Sequence, residues 1–137
     1  MQQLIVPVEE YTTPDPVTIE ESMGFDELLK LMSRISFRHL PVVRDGKPVG
    51  IISDRDVRLF AGMSVAERMQ LTAGDIMSEN PLSVDASTPL DQVALLMSDE
   101  KVGSLIVMEG DEFLGIFTAT DALNALIEIV RGVAREQ

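Results

Sequence analysis

The sequence predicts an α+β fold of two tandem repeats, each running strand-helix-strand-strand-helix, packed with pseudo-twofold symmetry. Two observations carry that prediction. First, the chain matches itself at an offset of 65 residues. Gly50-Ile51-Ile52-Ser53-Asp54-Arg55-Asp56 returns as Gly115-Ile116-Phe117-Thr118-Ala119-Thr120-Asp121, Pro16 pairs with Pro81, Asp26 with Asp91, Leu31-Met32-Ser33 with Leu96-Met97-Ser98, Leu40 with Leu105 and Val42 with Val107, with no gap between residues 11 and 60. Second, each copy alternates short apolar runs of strand character with a segment of helical spacing.

In chain order, residues 1–10 are a lead-in with Leu4-Ile5-Val6 as a short strand or apolar pad, and the prolines between Tyr11 and Pro16 forbid a regular helix. Val17-Thr18-Ile19 alternates like a strand. A helix opening at Ser22 or Gly24 and ending near Ser36 shows one face through Phe25, Leu28, Leu29, Leu31, Met32 and Ile35. Leu40–Val43 and Pro48–Ile52 read as hairpin strands about a turn at Arg44-Asp45-Gly46-Lys47. A second helix starts at Ser53 or Asp54, both good N-caps. The connector, 61–74, holds a short helix at 65–69. The order then recurs: strand 82–84, helix 90–99, strands 104–108 and 113–117 about Gly110-Asp111, and a last helix from Thr118 through Leu123, Leu126, Ile127 and Val130, fraying from Gly132. Met32, Met69 and Met97 read as core filler.

The 137 residues are one domain's worth, and two repeats of about 50 residues are each small enough that one shared core is expected. No apolar run approaches the roughly 20 residues that span a bilayer, and the N-terminus lacks the pattern of a secretory signal, so a cytoplasmic protein is expected. With no cysteine and one histidine, His39, no disulfide framework, thiolate site or nucleophile-base constellation is available, and an enzyme is not expected. The formal charge of −12 argues against nucleic acid as a partner. Its distribution is uneven: residues 11–60 hold seven basic residues against eight acidic ones, whereas in 76–125 Lys101 stands alone against nine.

Arg38-His39-Leu40-Pro41-Val42-Val43, then Asp45-Gly46, then Gly50 to Asp56, closely resembles the signature of a CBS domain. The second copy keeps Gly115-Ile116-Phe117-Thr118 and Asp121 but has Leu105-Ile106-Val107-Met108 in place of Leu-Pro-Val-Val. The resemblance implies a CBS pair, or Bateman module, over 1–137, with repeats at 6–60 and 75–130 and a connector at 61–74, similar to stand-alone bacterial and archaeal pairs. Such modules regulate an attached or separate protein, commonly as homodimers, and many bind adenine nucleotides in clefts between the repeats.

The resemblance places phosphate contacts at Arg38, Arg55 and Thr120, with Gly103 standing where Arg38 does in the first copy, and puts Thr13 and Val17, and Ser78 and Leu82, along the adenine. Physical chemistry supports the rest: a helix N-terminus offers N–H groups and positive potential to a phosphate, and an ionised carboxylate accepts both ribose hydroxyls. Ser53 and Thr118 would then meet phosphate, and Asp56 and Asp121 ribose. A Ser or Asp opening a helix is, however, more often only an N-cap. Because Arg38, Arg55, Arg58 and Lys47 supply cations near the first signature, the Ser53/Asp56 site is expected to bind AMP, ADP or ATP better than the Thr118/Asp121 site, which is expected to be empty or to take adenosine or S-adenosylmethionine; Mg²⁺ alongside a nucleotide is an unspecific option for the Asp-rich second repeat. The leading expectation is a non-enzymatic sensor that signals to a regulated protein; the alternative is an assembly module with vestigial clefts.

Overall fold

The computed structural model describes residues 4–136, with side chains to residue 132. A 3-10 turn at Val8–Tyr11 is followed by β1 (Thr13–Pro14), β2 (Ile19–Glu20), α1 (Phe25–Arg34), β3 (His39–Arg44), β4 (Lys47–Ser53), α2 (Asp54–Ala61), α3 (Val65–Arg68) and α4 (Ala73–Ile76). Then come β5 (Ser78–Glu79), β6 (Ser83–Asp85), α5 (Leu90–Glu100), β7 (Ser104–Glu109), β8 (Glu112–Thr118) and α6 (Ala119–Glu136). The fold is mixed α+β with two four-stranded sheets, ordered β2-β3-β4-β5 and β1-β8-β7-β6.

Residues 16–81 form one compact unit; residues up to Asp15 together with Leu82 onward form the other. These boundaries differ from the repeats at 6–60 and 75–130, because each repeat's lead-in packs with the other repeat. Residues 6–9 are stitched to 86–90: Val8 N–H donates to the Thr88 carbonyl (2.8 Å), Glu9 N–H to Ala86 (3.1 Å), and Leu90 N–H, at the start of α5, to Val6 (2.7 Å). The connector does the same 65 residues later: Ala73 N–H donates to Met23 (2.8 Å), Gly74 N–H to Glu21 (2.8 Å), and Phe25 N–H, opening α1, to Leu71 (3.0 Å). In each case a helix lacking a side-chain N-cap has its first amide satisfied by the incoming chain. Leu4–Val6, expected as a strand or pad, lies outside any regular element.

The lead-ins end as edge strands. β1 pairs antiparallel with β8 (Thr13 opposite Ile116, Pro14 opposite Gly115), and β5 pairs with β4 in the matching register (Ser78 opposite Ile51, Glu79 opposite Gly50). Both crossings lie over a glycine. A Cβ at Gly115 would overlap the Thr13 carbonyl, and one at Gly50 would strike the Met77 side chain and come within 2.9 Å of the Ser78 carbonyl. These glycines serve close backbone approach. After each edge strand the chain turns through a left-handed residue, Asp15 (φ 45°) or Asn80 (φ 51°), a conformation that Asn and Asp tolerate.

The central hairpins explain themselves locally. Asp45 and Gly46 both have positive φ, the pattern of a type I′ turn, whereas in the second copy only Gly110 does, the pattern of type II′. A bulge between Val42 and Val43 recurs between Val107 and Met108. Each unit has a hydrophobic cluster of its own where the sequence predicts one shared core. The first gathers Ile19, Phe25, Leu28, Leu40, Val42, Ile52 and Val57 with Ala73 of the connector and Ile76 just beyond it. The second gathers Val8 of the lead-in with Ala86, Val93, Met97, Leu105, Val107 and Phe117. Met32 and Met97 fill the cores as expected, but Met69, on the exposed turn after α3, does not. α6, expected to fray from Gly132, continues to Glu136.

Gly115→Ala is expected to lower stability by about 1–3 kcal/mol, since the obstruction is backbone. Gly50→Ala should lose less, because two of the three nearest atoms belong to a movable Met77 side chain. Urea unfolding of both variants at unchanged m checks the ranking.

Candidate functional site

In the unit formed by residues 16–81, the residues singled out from sequence gather at one edge of the sheet. β3 and β4 place His39 opposite Ser53, so Arg38 lies just beyond the strand end beside the start of α2. β2 runs parallel to β3 with Ile19 level with Val42, which sets Val17, two residues earlier, near Leu40 at the same edge. Ser78, opposite Ile51, comes from the other side, two residues along β4 from Ser53. Ser53 and Asp56 are half-buried; Val17, Arg38, Arg55 and Ser78 are exposed.

Ser53 and Asp56 form a capping box. The Ser53 Oγ accepts from Asp56 N–H (3.1 Å), and the Asp56 Oδ2 accepts from Ser53 N–H (2.9 Å). Asp54 N–H, the first amide of α2, donates to the Arg38 carbonyl (3.0 Å). The helix mouth is therefore less open than the sequence reading supposes: of the three amides of its first turn, one is taken by Arg38 and one by Ser53, which leaves that of Arg55. The same box leaves Asp56 Oδ1 outside it, a charged acceptor at the site.

The cation set also needs correction. Arg58 reaches Asp54 Oδ2 at 3.3 Å, an exposed i,i+4 pair, so part of its charge is answered locally. Lys47 begins the strand that Ser53 ends, about 20 Å away at roughly 3.3 Å per residue, too far to act at that mouth. Arg44, beside Lys47, is held by a two-point ion pair with Glu21, whose carboxyl the Arg44 hydrogen bond holds below its usual range. Arg38 and Arg55 remain for an anion. His39 is half-buried, and desolvation lowers its pKa, with the charges of Asp54 and Asp56 opposing that shift.

The other unit repeats the plan with different chemistry. Thr118 Oγ1 accepts from Asp121 N–H (3.2 Å) and donates to Asp121 Oδ2 (3.0 Å), which also accepts from Thr118 N–H (2.9 Å). Ala119 N–H donates to the Gly103 carbonyl (2.9 Å), the counterpart of the Arg38 contact. Thr13, opposite Ile116, stands where Ser78 stands in the first unit, and Leu82, whose carbonyl accepts from Ile106 N–H (2.9 Å), is the counterpart of Val17. Thr120 is exposed, and no Lys or Arg takes the places of Arg38 and Arg55. Thr13 thus belongs with Thr118 and Asp121, and Ser78 with Ser53 and Asp56, the reverse of their order in the repeats. The signal that could have shown this is the glycine inside each apolar strand, which marks another backbone passing over it.

A CBS domain family model matches residues 8–61 and 73–128. The chain belongs to the CBS-domain family. It is 32% identical over 127 residues to a CBS domain-containing protein of Dictyostelium discoideum, covering 85% of this chain and 88% of the relative. Relatives named as enzymes are far longer: the chain spans 24% of an inosine-5'-monophosphate dehydrogenase from Korarchaeum cryptofilum. Among solved structures, CBSX2 in complex with AMP matches with a TM-score of 0.78 at 27% identity, covering 90% of this chain and 97% of that one. The CBS domain pair of protein MJ0100 in complex with 5'-methylthioadenosine and S-adenosyl-L-methionine matches at 0.74 and 25%, covering 98% and 100%.

Ser53→Ala and Thr118→Ala should each cost about 1 kcal/mol through loss of the N-cap, with or without ligand present; thermal unfolding reads this. Since His39 binds a proton less readily folded than unfolded, the unfolded chain takes up protons first as pH falls below the ordinary value of about 6.5, and stability drops there until the folded histidine also titrates. His39→Gln should shrink the stability difference between about pH 7.5 and about pH 5.5, measured by urea unfolding at both.

Proposed function

We propose that this CBS pair is a regulatory module that binds an adenine nucleotide at the Ser53/Asp56 site and signals to a separate protein. The observation that carries the reading is the meeting, at one sheet edge, of an uncommitted carboxylate oxygen on Asp56, two cations, Arg38 and Arg55, and the backbone of Val17 and Ser78. In this reading the ribose hydroxyls donate to Asp56 Oδ1, the guanidinium groups of Arg38 and Arg55 hold the phosphate with the free Arg55 amide, and the two edge segments flank the base. The ligands bound by CBSX2 and by the MJ0100 pair support an adenosine-based ligand.

The Thr118/Asp121 site keeps the carboxylate and lacks the cations, so it suits adenosine or S-adenosylmethionine better than a polyphosphate. Among the described residues no group of three His, Asp or Glu is placed to hold a metal ion, so a Mg²⁺ would arrive on the nucleotide's phosphates. Signalling requires only that the ligand bind one arrangement of the protein more tightly than another, and that the regulated protein distinguish them.

Isothermal titration with AMP, ATP and S-adenosylmethionine tests this. Charge-assisted hydrogen bonds of roughly 1.5–3 kcal/mol predict that Asp56→Ala weakens AMP binding by about 10- to 100-fold, and Arg38→Ala or Arg55→Ala by about tenfold at low salt. Asp121→Ala should leave AMP binding in place. AMP binding that survives Asp56→Ala would refute the site assignment; no heat with any ligand from folded protein would favour the assembly module.

A further inference from the structure

The parallel ladders of the two sheets, β2 on β3 and β6 on β7, share one register at the 65-residue offset: Ile19 lies opposite Val42 as Val84 lies opposite Val107. Their far ends match as well, with Glu21 N–H donating to the Val43 carbonyl (3.1 Å) and Ala86 N–H to the Met108 carbonyl (2.7 Å). Their near ends do not. In the second sheet Ile106 N–H donates to the Leu82 carbonyl (2.9 Å), and β6 begins at Ser83. Pro41 stands where Ile106 would in the first sheet, and it has no N–H to give. β2 accordingly begins one residue later, at Ile19, and the Val17 carbonyl accepts no hydrogen bond among the described residues. Pro41 is fully buried, whereas Val17 is 51% exposed, so the open carbonyl lies at the surface and costs the fold little.

The missing rung falls at the candidate site. Val17 lies at the sheet edge shared with Ser53 and Ser78, and in the proposed nucleotide pose its backbone flanks the base. A carbonyl oxygen only accepts, so the group it suits on a base is an N–H donor. The exocyclic amine of a 6-aminopurine is such a donor, whereas a 6-oxopurine would set oxygen against oxygen at the same place. We propose that Pro41 sets the base selectivity of the Ser53/Asp56 site: by withholding an N–H from the ladder, it leaves the Val17 carbonyl to take a hydrogen bond from the 6-amino group of the bound nucleotide. At the Thr118/Asp121 site the matching carbonyl, that of Leu82, is already engaged by Ile106, and 6-amino and 6-oxo purines are distinguished less sharply. This role of Pro41 rests on the nucleotide reading of the Ser53/Asp56 site and adds the residue that chooses the base.

Titration calorimetry of the full chain with AMP and with IMP tests the proposal, alongside Asp56→Ala to mark the binding that belongs to this site. The wild type should prefer AMP by about 3- to 10-fold, the effect of a single exposed hydrogen bond. Pro41→Val, which restores the N–H that Ile106 carries, should bring the two affinities together, with thermal unfolding to show that the variant is folded. Because Pro41 is buried, a second measurement is made on the wild type alone. Val17-Thr18 is the only Val-Thr pair in the chain, so labelling valine with carbonyl ¹³C and threonine with ¹⁵N isolates the Val17 carbonyl resonance. AMP should shift that resonance in the direction of a newly accepted hydrogen bond, and IMP should not. Equal affinity for AMP and IMP in the wild type, a preference that survives in folded Pro41→Val, or a Val17 resonance that both nucleotides move alike overturns the role of Pro41 and leaves the site assignment standing. AMP binding that survives Asp56→Ala overturns the site assignment, and the role of Pro41 with it.

Discussion

The structure depends on backbone hydrogen bonding between each repeat's lead-in and the other repeat. Strand edges and uncapped helix starts present N–H and C=O groups that cost about 1–3 kcal/mol apiece when buried unpaired. Here β8 and β4 have their outer edges covered by two-residue strands, and the first amides of α5 and α1 are taken by Val6 and Leu71. The arrangement holds only because Gly115 and Gly50 carry no side chain where the incoming backbone passes. Val8 and the Ala73–Ile76 turn then complete the two cores from outside their own repeats.

The same constraint builds the candidate site. The edge strand that seals β4 ends in Ser78, two residues along from the Ser53 capping box, so the element that stabilises the sheet also walls the helix mouth. Asp56 divides its carboxylate, with Oδ2 on the Ser53 amide and Oδ1 outside the capping box. The helix amides are divided differently, since Arg38 and Gly103 each give a carbonyl to the first one and leave side chains to supply positive charge. Two helix mouths of one geometry therefore differ in charge, with Arg38 and Arg55 in one where Gly103 and Thr120 stand in the other.

Much of this was legible in the sequence, and the physical reason is locality. The Asp45-Gly46 turn, the Ser53 and Thr118 caps, the apolar face of α1 and the two hairpins are set by residues a few positions apart, and the 65-residue echo fixes their order. What escaped was nonlocal. Thr13 and Ser78 could be matched to each other by spacing, but spacing does not tell which sheet a two-residue strand joins. Lys47 lies close to Ser53 in sequence yet at the far end of an extended strand, and Met69 has helical spacing with no core to meet. The carbonyls of Arg38 and Gly103 leave no mark in the sequence, because every residue carries one.

The exchanged lead-ins also bear on how such a chain could arise. A lone repeat, bounded where the sequence echo begins and ends, would lack the strand that seals its own sheet and carry a spare one meant for a neighbour. Its complete form would be two molecules trading those segments. Tandem duplication turns that trade between molecules into one within a single chain, at the high effective concentration that tethering gives. Each copy is then free to diverge in its side chains while neither can be lost alone, because the edge it would take away belongs to the other's sheet.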